Sequence, residues 1–300
     1  MNGFLNINKP SGITSYDVIR RLKLIIPGIK LGHLGTLDPM ASGVLPIALG
    51  SATRLIQYIE DNWKAYEAEM TLGGVSDTQD KTGNIIPVSN EIMAQDRIEK
   101  TMSKFVGVIE QIPPMYSAVH YKGKRLYQLA REGREVKVEP RLITVTDLTI
   151  LEVISTEEVQ IVRFRIECSP GTYVRTICHD AGQQLGCGAF LSNLIRTRSG
   201  PFILAESANI DELTDYETLV GQTMSMDAPL SNMTMVFLDE VQAWKIKNGQ
   251  AVAWPGVNDQ YYLLYDELRD FLAIAKGEQG HGVLCPKTVF TGGNNKQQWK

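Results

Sequence analysis

Near the middle of the chain, Leu142 to Val153 and Val159 to Cys168 are rich in Val, Ile and Thr at the two-residue spacing of strands. Tyr66 to Leu72 (YEAEMTL) alternates apolar and polar residues in the same way. β-Branched side chains at this period fit a pleated surface, so the chain must build a sheet. Helical stretches fall around these strands. Ser15, followed by Tyr16-Asp17-Val18-Ile19 and Leu22, reads as the N-cap of an amphipathic helix. Ser89 to Val106 reads as a second helix, with Asn90 as its cap. Leu126 to Gly133 reads as a short helix stopped by glycine, and Tyr173 to Leu185 as a helix entered through Pro170-Gly171-Thr172. Gly32 to Gly50, rich in Gly, Pro and small residues, reads as a loop with short ordered pieces. Gln111 to Ser117 holds Pro113-Pro114 and is irregular. The mixture predicts an α+β fold.

A length of 300 residues suggests about two domains. The texture changes after an acidic stretch. Short apolar runs (Val236 to Leu238, Tyr261 to Tyr265, Phe271 to Ala275, Val283 to Cys285) alternate with polar turns and predict a small appended β-barrel. The boundary is placed near residue 230, giving units 1–230 and 231–300. No repeat of about 20–50 residues is present.

An apolar fraction of 43% and a charged fraction of 21% exclude a disordered chain. No apolar run approaches the ~20 residues of a membrane span, and Met1 to Pro10 lacks the pattern of a signal peptide. Cys168, Cys178, Cys187 and Cys285 form no CxxC pair and read as reduced thiols of a cytoplasmic protein. His33, His120, His179 and His281 show no metal-ligand spacing, so no metal site is expected. The net charge of −4 argues against a nucleic-acid partner until its distribution is considered. Glu206 to Glu240 carries eight acids and no Lys or Arg, which leaves +4 on the rest. Basic residues gather in Lys9 to Lys30, Lys122 to Arg141 and Arg163 to Arg198. Phosphate binding needs a local positive face rather than a positive total.

The segment Gly32-His33-Leu34-Gly35-Thr36-Leu37-Asp38-Pro39-Met40-Ala41-Ser42-Gly43-Val44-Leu45 surrounds one carboxylate with glycines and apolar residues. Such a loop can present Asp38 in a cleft as nucleophile or general base. Alternatively, Asp38 caps a short helix with Pro39 at its first position. Residues 31 to 59 hold no other acid, so Asp38 reads as a single carboxylate acting without metal. Asp77 and Asp80 are further candidates, though SDTQDKTG reads equally as a polar turn. Burial raises a carboxylate pKa and a close arginine lowers it. Arg175, between apolar Val174 and Ile177, is a candidate buried partner, or else a surface arginine of an amphipathic helix.

Six ordered segments now matter together: KPSGITS (Lys9 to Ser15), GHLGTLDPMASGVL (Gly32 to Leu45), KAYEAEMTLG (Lys64 to Gly73), PPMYSAVHYKGKRLYQLAREG (Pro113 to Gly133), GTYVRTICHDAG (Gly171 to Gly182) and LSNLIRTRSGPF (Leu191 to Phe202). The chain resembles the TruB family of tRNA pseudouridine synthases over about residues 1–230, with a weaker match beyond. The resemblance implies a pseudouridine-synthase fold with a mixed, mainly antiparallel sheet, and a C-terminal domain loosely similar to a PUA-like RNA-binding domain. It implies isomerisation of uridine 55 in the tRNA T-loop, without metal or organic cofactor.

Residue by residue, Asp38 matches the catalytic aspartate and Arg175 its arginine partner. Tyr66 matches the tyrosine that stacks on the target base, its phenol placed to take the C5 proton. His33, Tyr173 and Leu194 match contacts of the flipped nucleotide. Lys9 and Pro10 match the first family motif, with a packing role near Tyr66. Phe190 and Ile195 stand where the family often has His and a second Arg, and Ser76-Asp77-Thr78 where many relatives read TDT.

An insert at about 112–141 interleaves aromatics with Lys122, Lys124, Arg125, Arg131, Arg134 and Lys137. This suits an RNA stem-loop, whose backbone takes the charge and whose loop bases take the stacking; a mixed-charge helical hairpin is the alternative. The expected partner is the T-arm of tRNA, and the protein is expected to act as a monomer without an obligatory protein partner. Two rivals stand beside this reading: a metal-free hydrolase or transferase with an aspartyl nucleophile, which needs a second acid near Asp38, and a non-enzymatic RNA-binding protein.

Overall fold

A computed structural model describes residues 1–59 and 63–290. The first half runs β1 (Gly3–Lys9), α1 (Ser15–Ile25), β2 (Leu31–His33), β3 (Ser42–Leu49), β4 (Lys64–Leu72), β5 (Gly74–Ser76), β6 (Ile85–Pro87), α2 (Gln95–Met102), β7 (Gly107–Gln111), β8 (His120–Tyr121), β9 (Lys124–Arg125) and α3 (Leu126–Arg131). The second half runs β10 (Arg141–Ser155), β11 (Gln160–Cys168), α4 (Val174–Leu185), β12 (Ala189–Ser199), β13 (Phe202–Ile203), β14 (Ala208–Asn209), α5 (Tyr216–Gly221), β15 (Thr234–Phe237), α6 (Glu240–Lys247), β16 (Val252–Ala253), β17 (Tyr261–Tyr265), β18 (Phe271–Glu278) and β19 (Val283–Val289).

A ten-stranded sheet has the order β14-β1-β3-β12-β4-β11-β10-β7, with β2 on β3 and β13 on β12. Among the described residues of this sheet, only β1–β14 and β3–β12 pair in parallel. The alternation seen in β11 is its cause. Val162, Phe164, Ile166 and Cys168 face the core, whereas Arg163, Arg165 and Glu167 face outward. Those charges pair across strands: Arg163 with Glu69 at 2.9 Å and Glu152 at 3.0 Å, Arg165 with Asp147, and Glu167 with Arg198. Such exposed pairs set register more than they stabilise. Helix α4 covers the inner face with Val174, Ile177, Cys178, Ala181 and Leu185, a stripe at helical spacing.

Three local readings change. Ser42 to Leu49 is a nearly wholly buried strand, not loop. Its Pro46 accepts from Leu34 N–H where the neighbour on that side switches from β12 to β2, so the missing donor breaks no ladder. Helix α2 begins at Gln95 rather than Ser89. The Gln160 amide bonds both Met93 N–H and Met93 C=O (each 2.9 Å) and fixes that backbone short of the helix. Helix α1 is capped by Thr14, in a capping box with Asp17. Ser15 is its first residue, and its hydroxyl serves a different purpose below.

The second sheet, β15-β17-β18-β19-β16, curls into a half-barrel against α6. Residues 291–300 of the proposed C-terminal unit lie outside the described residues. A core of Phe4, Val44, Tyr58, Phe202, Leu230, Leu263, Phe271 and Ile274 joins the two sheets. Tyr58 Oη and Thr288 Oγ1 are 2.7 Å apart, and Arg54 donates to the Val289 carbonyl at 2.9 Å.

Gly43 marks a close backbone approach between β3 and β12. Its φ is +103°, and a Cβ there would lie 2.3 Å from the Arg196 carbonyl oxygen. Gly43→Ala should cost more than about 3 kcal/mol by urea denaturation. Gly186→Ala, at the left-handed C-cap of α4 with open space around it, should cost about 1 kcal/mol.

Candidate active site

The connection from β2 to β3 carries Asp38, and the loop from β1 to α1 holds it in place. Lys9, fully buried, donates to the carbonyls of Ile13 at 2.8 Å, Pro10 at 2.9 Å and Pro39 at 3.4 Å. Gly12 N–H donates to Pro39 C=O at 2.8 Å and Ser11 Oγ to Met40 C=O at 2.8 Å. Ser15 Oγ accepts from Leu37 N–H at 2.9 Å. Burial pulls the Lys9 ammonium down to about 8, with Asp38 working in the other direction. Asp38 caps no helix. It opens a turn with Pro39 second and Ala41 N–H donating back to Asp38 C=O at 3.1 Å.

Asp38 opens into a pocket of about 810 Å³. Beside Asp38 in the same pocket, Arg175, contributed by the first turn of α4, is 4% exposed and makes a fork. Its Nη2 stands 3.5 Å from Asp38 Oδ2 and donates to the Tyr116 carbonyl at 2.7 Å. Its Nη1 stands 3.4 Å from Asp80 Oδ2. Asp80 is buried too. Its Oδ1 accepts from Thr82 Oγ1 at 2.5 Å, Thr78 Oγ1 at 2.8 Å and Thr82 N–H at 2.9 Å. Burial raises the pKa of Asp38, Arg175 opposes that, and Asp80 adds to the rise. A third of the Asp38 side chain stays open to the pocket.

The structure brings Asp38, Arg175, Tyr66, His33, Tyr173, Leu194 and Arg125 to this one pocket. Tyr66, from β4, is 7% exposed. Burial pushes its phenol up to about 12, although Arg196 beside it favours the anion. The Tyr173 ring lies 5.6 Å from the Arg175 guanidinium. Burial lowers the His33 pKa, and its Nδ1 has no partner among the described residues. Lys122 and Lys124 stay outside, on the exposed β8–β9 hairpin, where Lys124 pairs with Glu132 at 2.9 Å and Lys122 sits over the Tyr121 ring. Phe190 faces away, against Gly74.

Sequence reasoning left Asp80 as half a polar turn and passed over Arg196 and Lys64. Arg196 is fully buried and donates to the carbonyls of Val44 at 2.7 Å, Gly35 at 3.2 Å and Thr36 at 3.4 Å, which braces the Asp38 loop. Strand phase held the signal: Arg196 shares the inward phase of Leu194, and Lys64 that of Tyr66. Among the described residues no group of three or more His, Cys, Asp or Glu could hold a metal ion.

This geometry sets a pH test. In Asp80→Asn the Oδ1 acceptor survives while one negative charge beside Asp38 goes. The acid limb of kcat/KM should lie above pH 3.8 in the wild type and move to lower pH in Asp80→Asn, as a full pH–rate profile will show. An unmoved limb means that Asp80 is not coupled to Asp38.

Comparison with known proteins follows the same residues. The family model "TruB family pseudouridylate synthase (N terminal domain)" matches residues 21–174, and the tRNA pseudouridylate synthase B C-terminal domain matches 175–236. The chain is 45% identical to tRNA pseudouridine synthase B of Syntrophomonas wolfei subsp. wolfei, over 97% of this chain and 99% of that protein. It is 41% identical to the protein of that name from Bacillus cytotoxicus, over 99% of each. Among solved structures, a chain of an H/ACA ribonucleoprotein bound to a substrate RNA containing 2′-deoxyuridine superposes with a TM-score of 0.71 at 25% identity, covering 97% of this chain and 85% of that one. A chain of a Cbf5-Nop10-Gar1 complex gives 0.70 at 26% identity, covering 96% and 85%. With a carboxylate and its arginine facing one pocket, and both halves of the family pattern matched in order, the chain belongs to the TruB family of pseudouridylate synthases.

Proposed function

We propose that this protein converts uridine 55 in the T-loop of tRNA to pseudouridine, acting as a cytoplasmic monomer. The observation that carries the reading is the Asp38–Arg175 pair at the base of a pocket walled by Tyr66, Leu194 and Tyr173. The relatives' name supplies the tRNA, and the family supplies the reaction class.

Isomerisation breaks the C1′–N1 bond, turns the uracil and joins C5 to C1′; C5 gives up its proton and the freed N1 gains one. Neither water nor a redox partner enters the balance. The target base must leave its stack at a cost of a few kcal/mol. Tyr66 offers a platform worth ~1–3 kcal/mol. Its phenol, pushed to about 12, stays protonated at neutral pH, so platform and hydrogen-bond donor suit it better than base. On this reading Asp38 is the attacking or proton-abstracting carboxylate; burial raises its pKa and Arg175 opposes that rise. Leu194 and the ring of Tyr173 exclude water that would hydrolyse the separated base and sugar.

Residues 1–230 form the catalytic unit on this reading. Residues 231–300 form a small PUA-like unit. The insert at about 112–141 clamps the T-arm: Arg125 reaches the pocket, while Lys122 and Lys124 stand where a stem backbone passes. Asp80 revives the hydrolase rival, which needs a second acid. Its oxygens, however, are occupied by Thr78, Thr82 and Arg175, a fixed acceptor rather than a free proton donor.

The test is tritium release from C5-labelled tRNA transcript. Wild type should release label from position 55, and Asp38→Asn should lose at least about a thousandfold in rate. Equal release by both proteins removes Asp38 from the mechanism. Hydrolysis to free uracil would favour the rival.

A further inference from the structure

Among the described residues, one cation held back from solvent in the pocket wall, Lys64, has neither a counter-charge nor a hydrogen-bond acceptor, whereas Arg125 and Arg131 at the same pocket are exposed. Lys64 opens β4 two residues before Tyr66, so both side chains leave the same face of the strand, roughly 7 Å apart along it. Lys64 lines the pocket with Tyr66, His33 and Asp38. Its ammonium occupies the space over Gly35: a Cβ at that position would lie 3.1 Å from Lys64 Nζ and 3.6 Å from Arg196 Nη1. Gly35, at φ +79°, thus leaves room for two cations.

The neighbouring charges are matched. Arg175 has Asp38 and Asp80, and Arg196 has three carbonyls. The Lys64 ammonium has neither an ion pair nor a hydrogen bond among the described residues, and the Cys168 thiol paired across from it on β11, pushed up to about 11 by burial, is uncharged at neutral pH. Burial, and then repulsion from Arg196, pull its ammonium down to about 8. A cation drawn out of water without a partner costs free energy, and such groups concentrate where a ligand supplies the missing charge.

We propose that Lys64 is the oxyanion-binding residue for a phosphodiester group next to the extruded uridine. The inference rests on the pseudouridylation reading and extends it to the backbone of the flipped nucleotide. Uracil is neutral, and its carbonyls would leave the charge of Lys64 unmatched. The phosphate is the anion that an RNA substrate brings. The spacing from Tyr66 to Lys64 along β4 is on the scale of the span from a nucleotide's base to its own phosphate. A base on Tyr66 therefore sets a flanking phosphate at Lys64.

Binding is read with a T-arm stem-loop, all variants carrying Asp38→Asn to prevent turnover. Neutral methylphosphonates are placed singly on either side of the target uridine. One of the two linkages should weaken binding about tenfold when Lys64 is present. Lys64→Met should weaken binding of the unmodified stem-loop about as much, become indifferent to that linkage, and lower the slope of log Kd against log salt by about 0.7–0.9. Affinity should fall as pH rises through about 8, where the ammonium loses its proton. Lys64→Arg should restore affinity and abolish that fall.

Thermal unfolding separates lost contact from lost fold. If Lys64→Met is unstable, the linkage scan and the pH comparison with Lys64→Arg still decide. Unchanged affinity in Lys64→Met, or equal sensitivity to both neutral linkages with and without Lys64, overturns the proposal. Tritium release by the wild type from the same stem-loop is read in parallel. Its absence sinks the pseudouridylation reading, whereas release together with an inert Lys64→Met sinks this inference alone.

Discussion

A guanidinium buried between two carboxylates organises this molecule. Arg175 is almost wholly removed from water, and a charge so placed is tolerable only when partners surround it. Asp38, Asp80 and the Tyr116 carbonyl take its Nη1 and Nη2 edges, and the Tyr173 ring covers it. Each partner comes from a different stretch of chain, so the site exists only when the sheet is complete. One buried cation facing two carboxylates leaves the one that is open to the pocket easier to protonate than a singly paired one. Burial and Asp80 raise the Asp38 pKa while Arg175 opposes the rise, so the carboxylate is held in a balance between desolvation and its arginine partner.

The second constraint is positional. Asp38 sits in a turn without regular hydrogen bonds, and a loose loop would blur its geometry. Two buried cations compensate. Lys9 gathers carbonyls from below and Arg196 from the side. Both point at backbone oxygens of the loops that carry Asp38, so main-chain dipoles meet their desolvated charges. The half-barrel packs through Phe4, Tyr58 and Phe271 in one continuous core with the ten-stranded sheet.

The strands and helices with regular periods were legible because period and burial agree, as in β11 and α4. The misread pieces are those governed by distant partners. Ser42 to Leu49 looks like loop because it lies in a segment, Gly32 to Gly50, rich in glycine, proline and small residues, yet it is buried among three strands that no local window contains. Ser89 to Met93 was kept from helix by Gln160, some seventy residues on. At the site, Asp38 stood out because its loop is so poor in other acids. Asp80 did not, since a carboxylate among threonines looks the same whether it faces solvent or a buried arginine. Arg196 and Lys64 were visible only as polar residues on the inward phase of apolar strands, a signal that strand reading tends to average away.

The most direct measurement is a carboxyl 13C NMR titration of Asp38 in the free protein, wild type beside Arg175→Met. The midpoint should lie above the ordinary 3.8, leave the group ionised at pH 7, and rise further when the guanidinium is removed. A midpoint at or below 3.8, or one indifferent to Arg175, would contradict the claim that burial and the Arg175 guanidinium are the main opposing influences on the Asp38 carboxylate.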